Sequence, residues 1–205
     1  EQNYKEFVSD KEVISVMESK LNQNLKSDLL RLYLIYEYGG IYVDSSVLPF
    51  QSFEWVIKLM NESEKNVLLY KNSNHTTDKD KPVFESWFIV SDKKNHIIKI
   101  ILDGFKSALN RGVDNSYRIL LSDKSVDYQN FVNHGPYHLI YYIIIYTLTK
   151  NHLYNKIEYL DCSYPNYPCI ALDHRGQNRI KELFACMSQP DTTAHTLPLE
   201  IKVAA

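Results

Sequence analysis

Two carboxylates and a guanidinium lie close together in the chain, at spacings that suit a phosphorylated ligand. Asp28 and Arg31 are three residues apart in a helical pattern, and Asp44 follows a double glycine and a short apolar segment. Residues three apart on a helix share one face. Arginine binds phosphate bidentately, and aspartate accepts hydrogen bonds from sugar hydroxyls. The pattern indicates either a site for such a ligand or a weak surface ion pair followed by a turn.

The elements that must position these side chains are a buried helix and a short strand. Residues 28–38 are apolar nearly all round, which predicts a buried helix capped by Ser27 or Asn24 and ended by Gly39. Residues 41–43 then predict a buried strand with Asp44 at its carboxyl end. Ligands bind at that edge of open α/β sheets.

The remaining pattern alternates helices with short strands. Further helices are predicted at 10–22 (with Ser9 as cap and Glu12 completing a capping box), 53–60, 96–109, 136–150 and 178–187. Strands are predicted at 67–70, 87–90, 156–160, 169–171 and 200–203, with a polar loop at 71–82 and no assignment for 110–131. This order predicts an α/β fold with a mixed, mainly parallel sheet flanked by helices. The length of 205 residues predicts a single domain over 1–205.

Composition narrows the function classes. A net charge of -2, from 23 Lys and Arg against 25 Asp and Glu, argues against a nucleic-acid partner. Three cysteines without a C-x-x-C pair exclude a disulfide framework and a cysteine-based zinc site. The longest apolar run, 139–148, is about half of the roughly 20 residues that span a bilayer. With no signal-peptide pattern at the start, we expect a cytoplasmic protein of a bacterium or a virus-infected cell, with no integral membrane segment.

The segment that contains Asp28, Arg31 and Asp44 resembles a known protein family. Its elements are Ser27-Asp28, Arg31, Gly39-Gly40, Tyr42, Asp44 and Ser46. In order and spacing they resemble the DXD-motif sugar-nucleotide glycosyltransferases, which include the capsular-polysaccharide synthesis proteins, the yeast-type initiating mannosyltransferases and the clostridial glucosylating toxins. Weaker similarities to this family follow at Glu85-Ser86-Trp87, at Asn133-His134-Gly135-Pro136 and at His195-Thr196-Leu197.

The resemblance implies a GT-A-like, Rossmann-type domain that transfers a hexose from a nucleotide-diphosphate sugar to a carbohydrate acceptor, with retention of configuration. UDP-sugars are favoured as donors and GDP-sugars come second. The residues implied in donor binding are Asp28, Arg31, Gly40, Tyr42, Asp44 and Trp87. Those implied in catalysis are Asp44, Arg31 and Glu85. Those implied in holding Mn²⁺ or Mg²⁺ are Asp44, Ser46 and His195.

Two departures from the family pattern keep other interpretations open. Ser46 replaces the second aspartate of the motif, and a hydroxyl is a poorer ligand for a hard dication. The family also begins with a strand for which this chain shows no counterpart, so we expect that upstream residues are missing. A non-catalytic module that binds sugar nucleotides or glycans is therefore the alternative, and a helical interaction module is a third. Glu85 is equally a solvated charge at a strand end. His134 and His138 do not share a helical face, because Gly135-Pro136 separates them.

Overall fold

The structure of the chain, a computed structural model, describes residues 3–45, 47–49, 52–161 and 169–171. The chain divides into two compact units. The first lies within Glu1–Val43 and Phe53–Asn166, and the second lies within Asp44–Ser52 and Tyr167–Ala205. The prediction of one domain over 1–205 stays a prediction.

The first unit carries the helices, several of which begin at side-chain caps. They are α1 (Lys11–Glu18), α2 (Gln23–Tyr38), α3 (Glu54–Glu62), α4 (His96–Asn110), α5 (Val113–Ser122) and α6 (Leu139–Lys150). Asp10, Asn22 and Asn95 accept hydrogen bonds from backbone N–H groups in the first turns of α1, α2 and α4. Short 3₁₀ turns lie at Asn3–Glu6, Gln129–Phe131, Pro136–His138 and Tyr154–Lys156.

The central sheet of the first unit has four strands in the order β1-β4-β3-β5. They are β1 (Gly40–Val43), β3 (Val67–Lys71), β4 (Phe84–Ser91) and β5 (Ile157–Asp161). Strand β4 runs antiparallel to β1 and β3, whereas β3 and β5 are parallel. The carboxyl ends of β1, β3 and β5 therefore share one edge with the amino end of β4. We call this the carboxyl edge.

The pairing of β3 with β4 is irregular close to the carboxyl edge. Its register shifts between Leu69, which pairs with Ile89, and Lys71, which pairs with Phe84. The irregular part of β4 is residues 85–87. Such bulges redirect side chains and are common beside active sites.

One hydrophobic core joins the helices to this sheet. Val67, Leu69 and Ile89 meet apolar residues of α1, α2, α4, α5 and α6 in a single buried cluster. Gly39 ends α2 with a φ of 70°. A Cβ there would lie 2.5 Å from the backbone nitrogen of Lys93, so glycine is required at this close approach.

The second unit contains a small antiparallel pair, β2 (Val47–Pro49) with β6 (Cys169–Ala171). The strand at 169–171 is confirmed, and β2 was not predicted. The helix predicted at 178–187 and the strand predicted at 200–203 lie outside the described residues.

The structure confirms the α/β class and the mixed sheet flanked by helices, and it corrects several details. Within the described sheet of the first unit, antiparallel pairings outnumber the parallel one, so the sheet is not mainly parallel. Asp10 rather than Ser9 caps α1, and Asn22 rather than Ser27 or Asn24 caps α2. Helix α5 occupies part of the unassigned segment, because the buried Ser116 and Leu120 lie one helical turn apart among exposed positions.

Within the described ranges, no helix is long and apolar enough to cross a membrane. A groove of about 520 Å³ opens at the carboxyl end of α6, lined by Asp80, Lys81, Ser125, Leu148, Thr149, Lys150, His152, Tyr154 and Asn155. None of the predicted site residues in the described ranges lines this groove.

Candidate functional site

The centre of the candidate site is a buried ion pair on α2. The guanidinium Nη2 of Arg31 lies 3.2 Å from Oδ1 of Asp28, and the two side chains are only 8% and 9% exposed. The interpretation of these residues as a surface ion pair is therefore wrong. Helical spacing places both side chains on the face of α2 that packs toward the sheet, because α2 contacts β1 and β4.

Arg31 ties this helix to the irregular part of β4. Its Nη1 donates to the backbone oxygen of Ser86 at 2.7 Å and to the Ser86 hydroxyl at 3.2 Å. The guanidinium also lies over the ring of Tyr42, 5.0 Å from its centroid, which is a cation–π contact. Two predicted donor-binding residues, Arg31 and Tyr42, therefore meet beside the carboxyl edge.

The burial of this pair has an energetic consequence. Taking a carboxylate and a guanidinium out of water costs free energy that only good geometry and further hydrogen bonds offset. Here Ser86 and Tyr42 supply those further contacts. Apolar side chains of similar volume in place of a buried ion pair often leave a protein equally stable. The Asp28–Arg31 pair is therefore a candidate for a role beyond stability.

Glu85 is the carboxylate that this arrangement presents at the carboxyl edge. It is half-buried in the irregular part of β4. Its Oε2 accepts a hydrogen bond of 2.9 Å from the hydroxyl of Tyr141, and its Oε1 accepts one from the side-chain amide of Asn72. The description of Glu85 as a solvated strand-end charge is therefore wrong, since two neutral donors fix its orientation.

Tyr141 connects the two charged groups electrostatically. Burial and the nearby Glu85 carboxylate raise the pKa of the Tyr141 phenol well above its ordinary value, while Arg31 acts in the opposite direction. The phenol is therefore protonated at neutral pH and donates to Glu85. A half-buried carboxylate held by neutral donors, with a buried arginine behind it, can accept hydrogen bonds from hydroxyls of a bound sugar.

Two other predicted donor-binding residues have neighbours outside this cluster. Trp87 stacks on Tyr70, with ring centroids 4.6 Å apart. Gly40 begins β1 opposite Ser91, at the other edge of the sheet. The roles of Trp87 and Gly40 in donor binding stay predictions.

The predicted metal ligands are described only in part. Asp44 directly follows β1 in the chain and belongs to the second unit, where its backbone oxygen accepts a hydrogen bond from the Val47 N–H at 2.9 Å. Ser46 and His195 lie outside the described residues. Over the described ranges, no group of three His, Cys, Asp or Glu residues is arranged to hold a metal ion. The predicted role of Asp44, Ser46 and His195 in holding Mn²⁺ or Mg²⁺ stays a prediction.

Tyr141, Asn72 and the role of Ser86 were not predicted from the sequence. Tyr141 was read as part of the core helix 136–150, and its hydroxyl gives no periodic signal within an apolar run. Asn72 begins a loop that was described only as polar. Ser86 stood inside the family-like segment, but its bond to Arg31 spans 55 positions of the chain. Such long-range contacts leave no trace in local spacing.

Comparison with known proteins agrees with part of the sequence analysis. A model of the family described as "Capsular polysaccharide synthesis protein" matches residues 1–169, which is well over half of the 205 residues. No match was found among the curated proteins or among the solved structures. The resemblance to the capsule-synthesis branch is confirmed, and the resemblance to the mannosyltransferases and the toxins stays a prediction.

Proposed function

The chain belongs to the capsular polysaccharide synthesis protein family, and on that premise we propose that it is a glycosyltransferase. It transfers a hexose from a nucleotide-diphosphate sugar, with UDP-sugars preferred over GDP-sugars, to a carbohydrate acceptor. The observation that carries the proposal is the Glu85 carboxylate, held by Tyr141 and backed by the buried Arg31 at the carboxyl edge.

In this proposal Glu85 contacts the donor sugar. Its carboxylate accepts hydrogen bonds from sugar hydroxyls at the edge where α/β sheets bind their ligands. A hydroxyl-binding carboxylate that is already oriented by Tyr141 and Asn72 loses little freedom on binding. Glu85 is therefore the candidate catalytic residue of the first unit.

Arg31 acts as a positioning residue. Its Nη1 is engaged by Ser86 and its Nη2 by Asp28, so the guanidinium fixes the irregular segment of β4 that carries Glu85. Direct contact of Arg31 or Asp28 with the donor stays a prediction from the family resemblance.

The bond changes of the proposed transfer balance without a covalent enzyme intermediate. The bond from C1 of the hexose to the diphosphate oxygen breaks, and its electron pair leaves with the diphosphate. A new bond forms between C1 and the acceptor hydroxyl oxygen, on the same face for a retaining enzyme. The proton of that hydroxyl passes to the departing diphosphate oxygen.

Among the described residues, Asp44 is the one predicted ligand for a divalent cation. A hard dication with oxygen ligands stabilises the negative charge of a nucleoside diphosphate. Asp44 is the member of the predicted ligand set that the structure describes, so we assign no step of the transfer to Mn²⁺ or Mg²⁺. The need for the cation is tested together with Asp44.

The test is thermal unfolding with UDP-glucose, UDP-galactose and GDP-mannose, each with and without Mn²⁺. A ligand at 100 times its dissociation constant stabilises the fold by about 2.7 kcal/mol, which raises the Tm by about 5–10 °C. We expect such a shift for one nucleotide class, strongest with Mn²⁺ and much reduced in Asp44→Ala. Asp92→Ala is the matched control, because exposed Asp92 follows β4 at the opposite edge of the sheet.

The other outcomes of this unfolding experiment distinguish the glycosyltransferase from the non-catalytic binding module. A shift that depends on neither the metal nor Asp44, with no transfer to any acceptor, favours the non-catalytic binding module. Absence of a shift with every nucleotide, in protein that unfolds cooperatively, contradicts a sugar-nucleotide site.

A further inference from the structure

Three histidines gather around one phenylalanine beside the candidate site. The His134 ring stacks on Phe131, with centroids 4.3 Å apart, and the His75 ring meets His134 edge to face at 4.5 Å. The His138 ring lies 5.8 Å from that of His134. We call His75, His134, His138 and Phe131 the histidine platform.

The outer part of the platform is formed by two exposed imidazole rings. Phe131 is buried beneath it, whereas His134 and His138 are exposed. Burial of part of each ring lowers the pKa of both His134 and His138, and the neighbouring imidazoles lower that of His134 further. At neutral pH these rings carry no charge, and each neutral imidazole offers one N–H donor and one nitrogen acceptor.

The backbone beneath the platform is held in place. The Asn130 N–H donates to the His75 backbone oxygen at 3.3 Å. The hydroxyl of Tyr142 donates to the Phe131 backbone oxygen at 2.9 Å and accepts from the His134 N–H at 3.2 Å. The loops on both sides of the platform are therefore ordered before any ligand arrives, which reduces the entropy cost of binding.

One aromatic ring links the platform to Glu85. The Tyr141 ring stacks on Phe131 with centroids 4.7 Å apart, and its hydroxyl donates to Glu85. The platform and the carboxylate are therefore neighbours on the same part of the first unit.

The ring arrangement does not suit a metal ion. The imidazoles contact each other and Phe131 by faces and edges, and the described residues contain no group of three ligands arranged around an ion. The uncharged rings of His134 and His138 also give no electrostatic attraction for a diphosphate. What it does offer is aromatic faces for apolar C–H groups together with several hydrogen-bonding nitrogens for hydroxyls.

We propose that the histidine platform binds a pyranose ring of the carbohydrate acceptor, next to Glu85. This inference rests on the proposed glycosyltransferase function and assigns its acceptor subsite. The faces of the sugar that carry C–H groups stack on His134 and His138, and the sugar hydroxyls bond to imidazole nitrogens. The acceptor hydroxyl is thereby brought toward the edge where the donor sugar binds.

The test is NMR spectroscopy of the full chain with isotope-labelled histidine. The imidazole signals are followed while methyl α- and β-glycosides of glucose, galactose and mannose are added to millimolar concentrations, and in a separate titration while UDP is added. We expect one or more glycosides to shift the signals of His134 and His138 but not that of exposed His96. His134→Ala weakens glycoside binding roughly 5-fold, which corresponds to about 1 kcal/mol and lies within the range of aromatic ring contacts. His96→Ala leaves it unchanged.

Two results would overturn the inference. Platform signals that respond to UDP and to none of the glycosides indicate a nucleobase site. Platform signals that respond to neither show that the platform binds no sugar. Because UDP binding is read independently from the Tm, loss of the acceptor subsite and loss of the proposed function are distinguished. Glycoside binding without nucleotide binding would support the sugar subsite but contradict the glycosyltransferase function, and it would favour a glycan-binding module.

Discussion

The buried cluster of Arg31, Asp28, Ser86 and Tyr42, called the Arg31 cluster below, differs from the histidine platform in charge and exposure. Arg31 and Asp28 are charged, buried and bonded across the core, whereas His134 and His138 are neutral and exposed on an ordered surface. Tyr141 touches both regions through Glu85 and Phe131. Substitutions in the buried cluster change the stability of the fold and the site together, while substitutions in the platform act mainly on ligand binding and change stability only weakly. The two regions therefore need different experiments.

The largest expected effect is at Arg31. Arg31→Ala leaves the Asp28 carboxylate buried without its cation, and breaking a buried pair in this way costs about 3–5 kcal/mol of unfolding free energy. Urea denaturation measures it. The control is Lys99→Ala, which breaks the exposed pair with Asp103 on α4 and costs at most about 0.5 kcal/mol.

The double variant Asp28→Leu with Arg31→Met separates stability from function. Apolar replacement of both partners recovers much of the loss, because neither charge is then left unpaired. We expect this variant to fold and to respond weakly to nucleotide. A double variant with a full nucleotide response would show that the cluster has no role in the site.

A smaller loss of unfolding free energy is expected at Tyr141, which contacts both Glu85 and Phe131. Tyr141→Phe keeps the ring on Phe131 but removes the hydroxyl that donates to Glu85, at a cost of about 1–3 kcal/mol. Tyr146→Phe on the same helix is the control. We expect Tyr141→Phe to weaken donor binding more than glycoside binding, measured by calorimetry and by NMR. Equal losses for both ligands would mean that Tyr141 only supports the fold.

The smallest effect is the pH dependence of the platform. Because the pKa values of His134 and His138 lie below the ordinary value of about 6.5, the unfolded chain binds protons more readily. Stability is therefore lost as the pH falls below about 6.5 toward the folded pKa values. Urea denaturation across this range measures the slope, which His134→Asn with His138→Asn reduces. A slope unchanged by the double variant, or matched by His96→Asn, contradicts this origin.

Local pattern predicted the elements better than the site. Helix α2, the Gly39 stop and strand β1 followed from apolar periodicity and a glycine requirement, which are properties of short segments. The pairing of β4 with β1 and β3 could not be predicted from such local patterns, because strand neighbours are set by contacts between residues distant in the chain. For the same reason the spacing of Asp28 and Arg31 indicated a shared face but not its burial. Whether that face meets solvent or Ser86 depends on a strand 55 positions away.

The central claim is that this chain transfers a sugar from a nucleotide donor. The most direct measurement is the release of nucleoside diphosphate from a panel of UDP- and GDP-hexoses, with Mn²⁺ and a mixture of oligosaccharide acceptors. We predict release from one donor class, stimulated by acceptor and largely lost in Glu85→Gln and Asp44→Ala but not in Asp92→Ala. Folded protein that binds the donor and releases no diphosphate with any acceptor would contradict the account.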